Sequence, residues 1–380
     1  MNTSEKSRAF NLAEKLKFLK DNTLTVSKIF FVLAALALVL RTVCRISSNF
    51  ADFFNRRIAS CVRFVMTSAT NILPFSLAEI IIMLLPFIFV AVIVLAVIFS
   101  KSKEKTARYI MLLLSIVALL YFLFVFTYAT GFQTNTIDKA FDLQQNEVTV
   151  EELKDTAMWL SSEAGKLADE SLFEEYNSKM PFSWKEMNKK LNSAFDSVNE
   201  KYGFLCNYYT SSKPVILSRA MSYTHTLGVY TFFTGEANIN VSYPDYTALF
   251  TAAHEMSHQR GVARENEANF LAFIVCASSD DEYIRYCGYV NMLEYVMNAL
   301  STASSAEYGS VVASLSDPVL MEIMGYARVY KEYEDSPVGE ISQTINDTYL
   351  KSQGTEGTKS YGMVVDLAVA YYKAQKSTAE

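Results

Sequence analysis

The chain has 380 residues, with 34 Lys and Arg against 40 Asp and Glu, and its net charge of −6 argues against nucleic acid as a partner. Half of it (51%) is apolar, too much for a disordered tail, and the length predicts two domains or more. Five cysteines, of which Cys206, Cys276 and Cys287 lie beyond the apolar blocks, form no disulfide framework, and Cys276 reads as a small core residue.

Three apolar blocks lie in the first third. Ile80 to Phe99 and Tyr109 to Phe126 carry no charge and are each long enough to cross a hydrocarbon core of about 30 Å as a helix. Val26 to Leu40 is shorter, interrupted near its start by Lys28 and stopped by Arg41, whose long side chains reach toward headgroups. The pattern predicts a cytoplasmic N-terminus over 1–24, with no cleavage site for a signal peptide, and a membrane domain over 25–131. Its spans fall near 26–43, 78–99 and 109–130, and a second domain follows over 132–380. Lys6, Arg8, Lys15, Lys17 and Lys20 on the first segment, and Lys101, Lys103, Lys105 and Arg108 between the last two spans, favour the cytoplasm. Everything after about Thr130 is then expected outside the cell membrane. The loop from Arg41 to Thr70 opposes this topology with Arg41, Arg45, Arg56, Arg57 and Arg63. An amphipathic loop on the bilayer, with Phe50, Phe53, Phe54 and Phe64 in the interface, reconciles it.

A polar connector, Gln133 to Gln145, leads to helices expected over Val150 to Ala168, opened by Thr149 with Glu151 and Glu152, and over Ser183 to Tyr202. Within Gly228 to Ser242 the period shortens. Glu236, Asn238, Asn240 and Ser242 alternate with Ala237, Ile239 and Val241, a half-buried strand whose edge is a candidate for pairing with a substrate backbone. Pro244-Asp245 starts a helix that runs through Arg260 and is capped by Gly261. Glu282 to Leu300, Asp317 to Tyr333 and Met363 to Lys376 complete a largely helical C-terminal part. Asn291 and Glu294 in the first of these read as core or surface residues before site residues.

That capped helix holds His254-Glu255-Met256-Ser257-His258, two of the three histidines of the chain. Residues four apart share one helix face, so both imidazoles can bind one zinc ion, Zn2+, with Glu255 placed as general base toward an activated water. A catalytic site needs a third protein ligand and keeps a fourth position open. Glu265 and Glu267 follow the Gly261 turn, and two residues apart on a helix they diverge by about 200°, so only one faces the metal. Glu265 is the expected ligand and Glu267 the alternative. Asn269, one turn on from Glu265, is placed to hydrogen-bond a ligating side chain. Glu265 through Asn269 resembles the E-x-x-A-D element that supplies the third ligand in glutamate-type zincins, with Asn in place of Asp. An oxyanion also needs a donor, for which Tyr361, His225, Tyr223 and Tyr349 are available, with Asn238 on the strand as a further substrate contact.

Several segments together resemble a bacterial family known as domain of unknown function 3810. They are Pro74-Phe75-Ser76, Ser218-Arg219-Ala220-Met221-Ser222-Tyr223, Thr234-Gly235-Glu236-Ala237-Asn238, His254 through Phe270, Asp347-Thr348-Tyr349-Leu350-Lys351 and Ser360-Tyr361-Gly362. The resemblance implies N-terminal membrane helices followed by a zincin-like region. The expected architecture is therefore mainly α: transmembrane helices, then an α+β metallopeptidase domain with a small β-sheet and a helical C-terminal part. The expected function is a membrane-anchored zinc metallopeptidase hydrolysing peptide bonds of a peptide or protein near the lipid bilayer. The alternative is a non-catalytic zinc-binding sensor or assembly protein. Substrate and oligomeric state are not written in the sequence.

Overall fold

The structure, a computed structural model, describes residues 3–379, with side chains from Leu24 to Ser377. The basic side chains expected to hold 1–24 in the cytoplasm lie outside the described residues. Helix α1 runs unbroken from Thr3 to Ile46, since no Gly or Pro interrupts it. Ser47 then caps α2 (Ser48–Phe53), a π-helical turn over Phe54–Ala59 follows, and α3 covers Ser60–Asn71. Helices α4 (Leu77–Phe99) and α5 (Lys103–Thr127), with the Leu24–Ile46 part of α1, are three helices long and apolar enough to cross a membrane. α1 and α5 pack along each other, joined by Ser27 and Ser115 at 3.1 Å and by Ala37, Val125 and Ala129. α4 stands mostly apart, and Phe87, Phe89 and Val90 on it are well exposed.

A 3₁₀ turn (Ala129–Gln133) and α6 (Ile137–Phe141) lead into the second part of the chain. α7 (Val150–Leu167) opens with the expected capping box of Thr149 and Glu152. A two-stranded hairpin, β1 (Phe173–Glu174) and β2 (Asn177–Ser178), precedes α8 (Trp184–Tyr202), which Ser183 caps. Next come β3 (Ser212–Pro214), α9 (Ser218–Ser222), β4 (Gly228–Thr231) and β5 (Glu236–Ile239). The metal-motif helix α10 (Asp245–Gln259) is followed by α11 (Glu265–Ala277), α12 (Glu282–Ala303), α13 (Ser305–Val312) and α14 (Asp317–Lys331). The chain ends with α15 (Pro337–Ser352), a 3₁₀ turn over Gly357–Tyr361, and α16 (Val364–Ala379).

The largest core gathers Leu160, Phe195, Phe270, Phe273, Leu293 and Val369 from α7, α8, α11, α12 and α16, all essentially inaccessible. Each such side chain contributes about 1.5–3 kcal/mol of burial, which explains why α11, apolar nearly all round, sits in the middle. The small sheet has the order β3-β5-β4, with β5 parallel to β3 and antiparallel to β4. This corrects the expectation for the alternating strand: β5 is central and buried on both faces, so it offers no edge. Its polar residues are buried because they are bonded. Glu236 accepts the N–H groups of Leu77 (3.0 Å) and Ala78 (2.9 Å) at the start of α4 and pairs with Lys213 (2.7 Å); the Lys213 ammonium also donates to the carbonyls of Thr70 and Phe75.

The membrane part and the rest therefore share one packed seam. Arg63, fully buried, donates to the Thr127 carbonyl (3.0 Å) and to Asn55 Oδ1 (2.8 Å) and carbonyl (2.7 Å), and Asn55 Nδ2 donates to the Gly261 carbonyl (2.9 Å). Thr67 reaches the Gly235 carbonyl at 3.1 Å. The α1 end, the start of α4 and the end of α5 thus all abut the domain, while the Lys101 to Arg108 turn lies at the opposite ends of α4 and α5. The bases of the Arg41 to Thr70 loop are largely spent on structure: Arg63 as above, Arg56 on Asp52 (3.6 Å) and Arg41 on the Ser352 carbonyl (3.3 Å). Of its four phenylalanines, Phe54 turns inward onto Phe126, whereas Phe53 and Phe64 stay exposed.

Candidate functional site

α10 and α11 are antiparallel neighbours joined by a tight turn in which Gly261 takes φ +95°, a conformation that side chains disfavour. The turn is what brings Glu265 back onto α10. His254 and His258 stand on one face, their ring centroids 4.7 Å apart. Their Nε2 atoms converge on one carboxylate oxygen, Glu265 Oε2, at 3.2 Å from His254 and 3.5 Å from His258. All three residues are buried, and their ligand atoms lie within 4.8 Å of one another.

The rest of the turn orients the rings. His258 Nδ1 donates to the Val262 carbonyl at 2.6 Å, which turns Nε2 toward Glu265. His254 Nδ1 is buried without a hydrogen-bond partner among the described residues. Burial works against the charge on both sides of the cluster and loses. The His258 and His254 imidazoles hold the Glu265 carboxyl well below the usual range, and that carboxylate lifts His258 to about 9.

Glu255 points away from the shared oxygen toward β4. The bond from Asn240 N to the Leu227 carbonyl sets the register, so Leu227, Val229 and Thr231 face β5 while Gly228 and Tyr230 turn outward. The outward Tyr230 N–H donates to the Glu255 carboxylate. Gly228 lies so close that a Cβ there would come within 2.6 Å of Glu255 Oε1. Glu255 Oε2 is buried and has no hydrogen-bond partner among the described residues. Burial pushes its carboxyl up, and His254 and His258 offset part of that rise.

Tyrosines line the surroundings. The Tyr128 ring meets His258 edge-on at 5.6 Å with its hydroxyl 3.4 Å from the Ala263 carbonyl, and the Tyr230 ring lies 6.3 Å from the same imidazole. The Tyr361 hydroxyl accepts a bond from Asn346 (3.3 Å). Burial and then the neighbouring Glu265 and Glu255 carboxylates drive its pKa well above the ordinary value, so it stays a protonated donor. Tyr349 lies on the same side, raised by burial and by Glu265.

The other sequence candidates fall elsewhere. The Glu267 carboxylate is turned from the cluster to Arg264 (2.7 Å) and the Ile137 N–H (3.1 Å) at the start of α6. Asn269 is buried one turn beyond Glu265, beside Tyr295 rather than on a histidine. His225, at φ +54°, bonds the Tyr333 carbonyl (2.7 Å) and Gln343 (3.1 Å), packing α14 and α15 rather than the cluster. Asn238 is taken up by Ser76, Thr231 and the Val229 carbonyl, and Tyr223 stacks edge-on with Tyr333. Asn291 bonds the Tyr246 carbonyl, and Glu294 accepts from the Tyr246 hydroxyl (3.0 Å). Tyr128 and Tyr230 are the residues that sequence reasoning missed. At the end of an apolar run, Tyr128 looks like an interface tyrosine, and nothing local ties Tyr230 to Glu255.

Fold and site together define a mainly helical protein with three helices able to cross a membrane and a buried His-His-Glu cluster at their common end. Over residues 54–369 the chain matches the family described as "Protein of unknown function (DUF3810)", and it belongs to that family. No curated protein and no solved structure matches it.

Proposed function

We propose that the protein is a membrane-anchored zinc metallopeptidase that hydrolyses peptide bonds with His254, His258 and Glu265 as ligands and Glu255 as general base. The observation that carries this reading is the convergence of two Nε2 atoms and one carboxylate oxygen beside a carboxylate with a free oxygen. Tetrahedral zinc with bonds of about 2.0–2.1 Å sets its ligands roughly 3.3 Å apart, and the two Nε2 to Oε2 distances of 3.2 and 3.5 Å bracket that spacing. The donor set fits too: two neutral imidazoles and one carboxylate leave a fourth position. When bound, zinc supplies a Lewis acid that makes water acidic near neutral pH and polarises a carbonyl.

Each remaining part is done by the chain. Glu255 takes a proton from the attacking water on its free oxygen and hands it to the leaving amine. Its burial favours this exchange, because a carboxylate with a raised pKa is a better base. Tyr230 N–H and Gly228 hold it in place. Tyr361, a neutral hydroxyl, donates to the carbonyl oxygen as charge grows there. The outer edge of β4, beside Glu255, is the strand placed to pair with a peptide backbone.

An extracytoplasmic position for the site agrees with the bases gathered at the far ends of α4 and α5. The test is Glu255→Gln in the full-length protein. Zinc content is expected to be unchanged while hydrolysis of a peptide library is lost. Equal behaviour of zinc-loaded wild type and variant overturns the enzymatic reading and leaves a zinc-binding sensor or assembly role.

A further inference from the structure

α15 has two faces that meet different surroundings. Its inner face carries the buried Leu350, Asn346 bonded to Tyr361, and Tyr349, whose ring centroid lies 6.0 Å from Phe124 and 6.4 Å from Phe132. Its outer face carries Val338, Ile341 and Ile345, exposed by 54%, 61% and 65%. Positions separated by three and four form one stripe along a helix.

The ends of the helix are tied to the ends of the spans. At its C-terminus, Arg41 of α1 donates to the Ser352 carbonyl (3.3 Å) and Gln353 Oε1 (3.1 Å), and Phe124 against Tyr349 lies in the last turn of α5. At its N-terminus, Ser336 donates to the Tyr223 carbonyl (2.7 Å) and Gln343 contacts His225. Those two residues close the segment that begins at Leu217, whose N–H is held by Glu79 (2.7 Å) in the first turn of α4. Ile216, next to it, is 79% exposed. The helix, about 24 Å long, is thus tied to the domain-side ends of all three candidate spans, to α4 by way of the Leu217 segment.

We propose that α15 is an interfacial helix lying on the bilayer, with Val338, Ile341 and Ile345 among the acyl chains and Ile216 beside them. Two features select lipid as the occupant over a second copy of the chain. The stripe is a single file of three side chains, far short of the roughly 800 Å² per partner that a stable protein interface needs. The helix that carries it is also joined to the spans themselves, through Arg41 of α1 and Phe124 of α5, which sets it at the end of the apolar helices. The helix that carries Asn346 and Tyr349 toward the His-His-Glu cluster is then backed by the membrane itself. Neither metal nor turnover enters this inference.

The experiment adds one tryptophan at a time to the full-length protein in phosphatidylcholine vesicles, with and without bromine on the acyl chains. Trp159 and Trp184 give the background, read from the parent. The Ile345→Trp reporter is expected to lose about twofold of its emission to brominated lipid and to resist acrylamide, while Glu340→Trp, on the polar flank, does the reverse. Ile341→Trp repeats the reading one turn away should the first variant misfold. Quenching of the Ile345→Trp and Ile341→Trp reporters by acrylamide shows a water-facing helix and overturns the proposal. Shielding from both quenchers, with a crosslinked dimer, shows a protein partner and overturns it equally.

Discussion

Removing Glu265 is the sharpest perturbation of the cluster. Its Oε2 is the one atom common to both imidazoles, at 3.2 and 3.5 Å, and its charge is what lifts His258 to about 9. Structural zinc sites bind with about 10–16 kcal/mol shared over four ligands, so each ligand carries roughly 3–4 kcal/mol. Losing one therefore weakens binding by about two to three orders of magnitude. Glu265→Ala is expected to show that loss in a chelator-competition titration of the full-length protein followed by metal analysis, and Glu265→Gln, which keeps the shape, to fall nearly as far. Glu267→Ala is expected to leave affinity alone. It breaks the pair with Arg264 and the bond from Ile137 N–H, which costs about 3 kcal/mol of stability, read as a lower unfolding midpoint. If Glu267→Ala releases zinc while Glu265→Ala retains it, the ligand assignment is wrong.

Two further outcomes follow from close packing and burial. Gly228→Ala drives a Cβ to within 2.6 Å of both Glu255 Oε1 and Thr251 Cγ2, so β4 must shift; about 1–3 kcal/mol is expected, seen as a fall in the thermal midpoint that the exposed neighbour Val229→Ala does not share. Equal midpoints for the two variants refute the close-contact argument. Burial raises the Glu294 carboxyl from 4.5 to about 8 despite the Tyr246 hydroxyl. The folded state then holds a proton that the unfolded state releases. Its contribution is complete below pH 4.5 and is lost as pH rises through 8, at no more than about 1.4 kcal/mol per pH unit. Glu294→Gln should flatten the stability curve across that window, and curves that stay parallel contradict this origin.

What was legible in the sequence was local. His254 and His258 are four apart on a helix whose cap, Gly261, stands in plain view, and helical periodicity lets only one of Glu265 and Glu267 face them, with Glu265 favoured for Asn269 one turn on. The structure indeed turns only the former toward the imidazoles. Long amphipathic helices such as α7 and α8 were equally readable, caps included. The strand was found, but not its place in the sheet, because Glu236 and Asn238 look like solvent-facing residues until their partners at Lys213, Ser76 and the α4 amides are known. Arg63 misled for the same reason. A lone arginine between apolar blocks reads as a topological charge, whereas its partners are carbonyls and amides far along the chain. α15 escaped notice because its apolar stripe faces outward and its buried face is built from Gly339, Asn346 and Leu350.

The seam around Arg63 and Asn55 also makes the cluster depend on the N-terminal helices. Gly261, at the turn that carries Glu265 back to the histidines, is held by Asn55, and Glu236 in the central strand is satisfied by amides at the start of α4. A fragment cut near residue 131 would bury these groups without partners, and the family match beginning at residue 54 keeps them together. Biosynthesis meets the same constraint. Until the hairpin of α4 and α5 is in place, the later half of the chain lacks the struts of its own cluster. Placement of α4 and α5 and closure of the His-His-Glu cluster are then expected to be coupled.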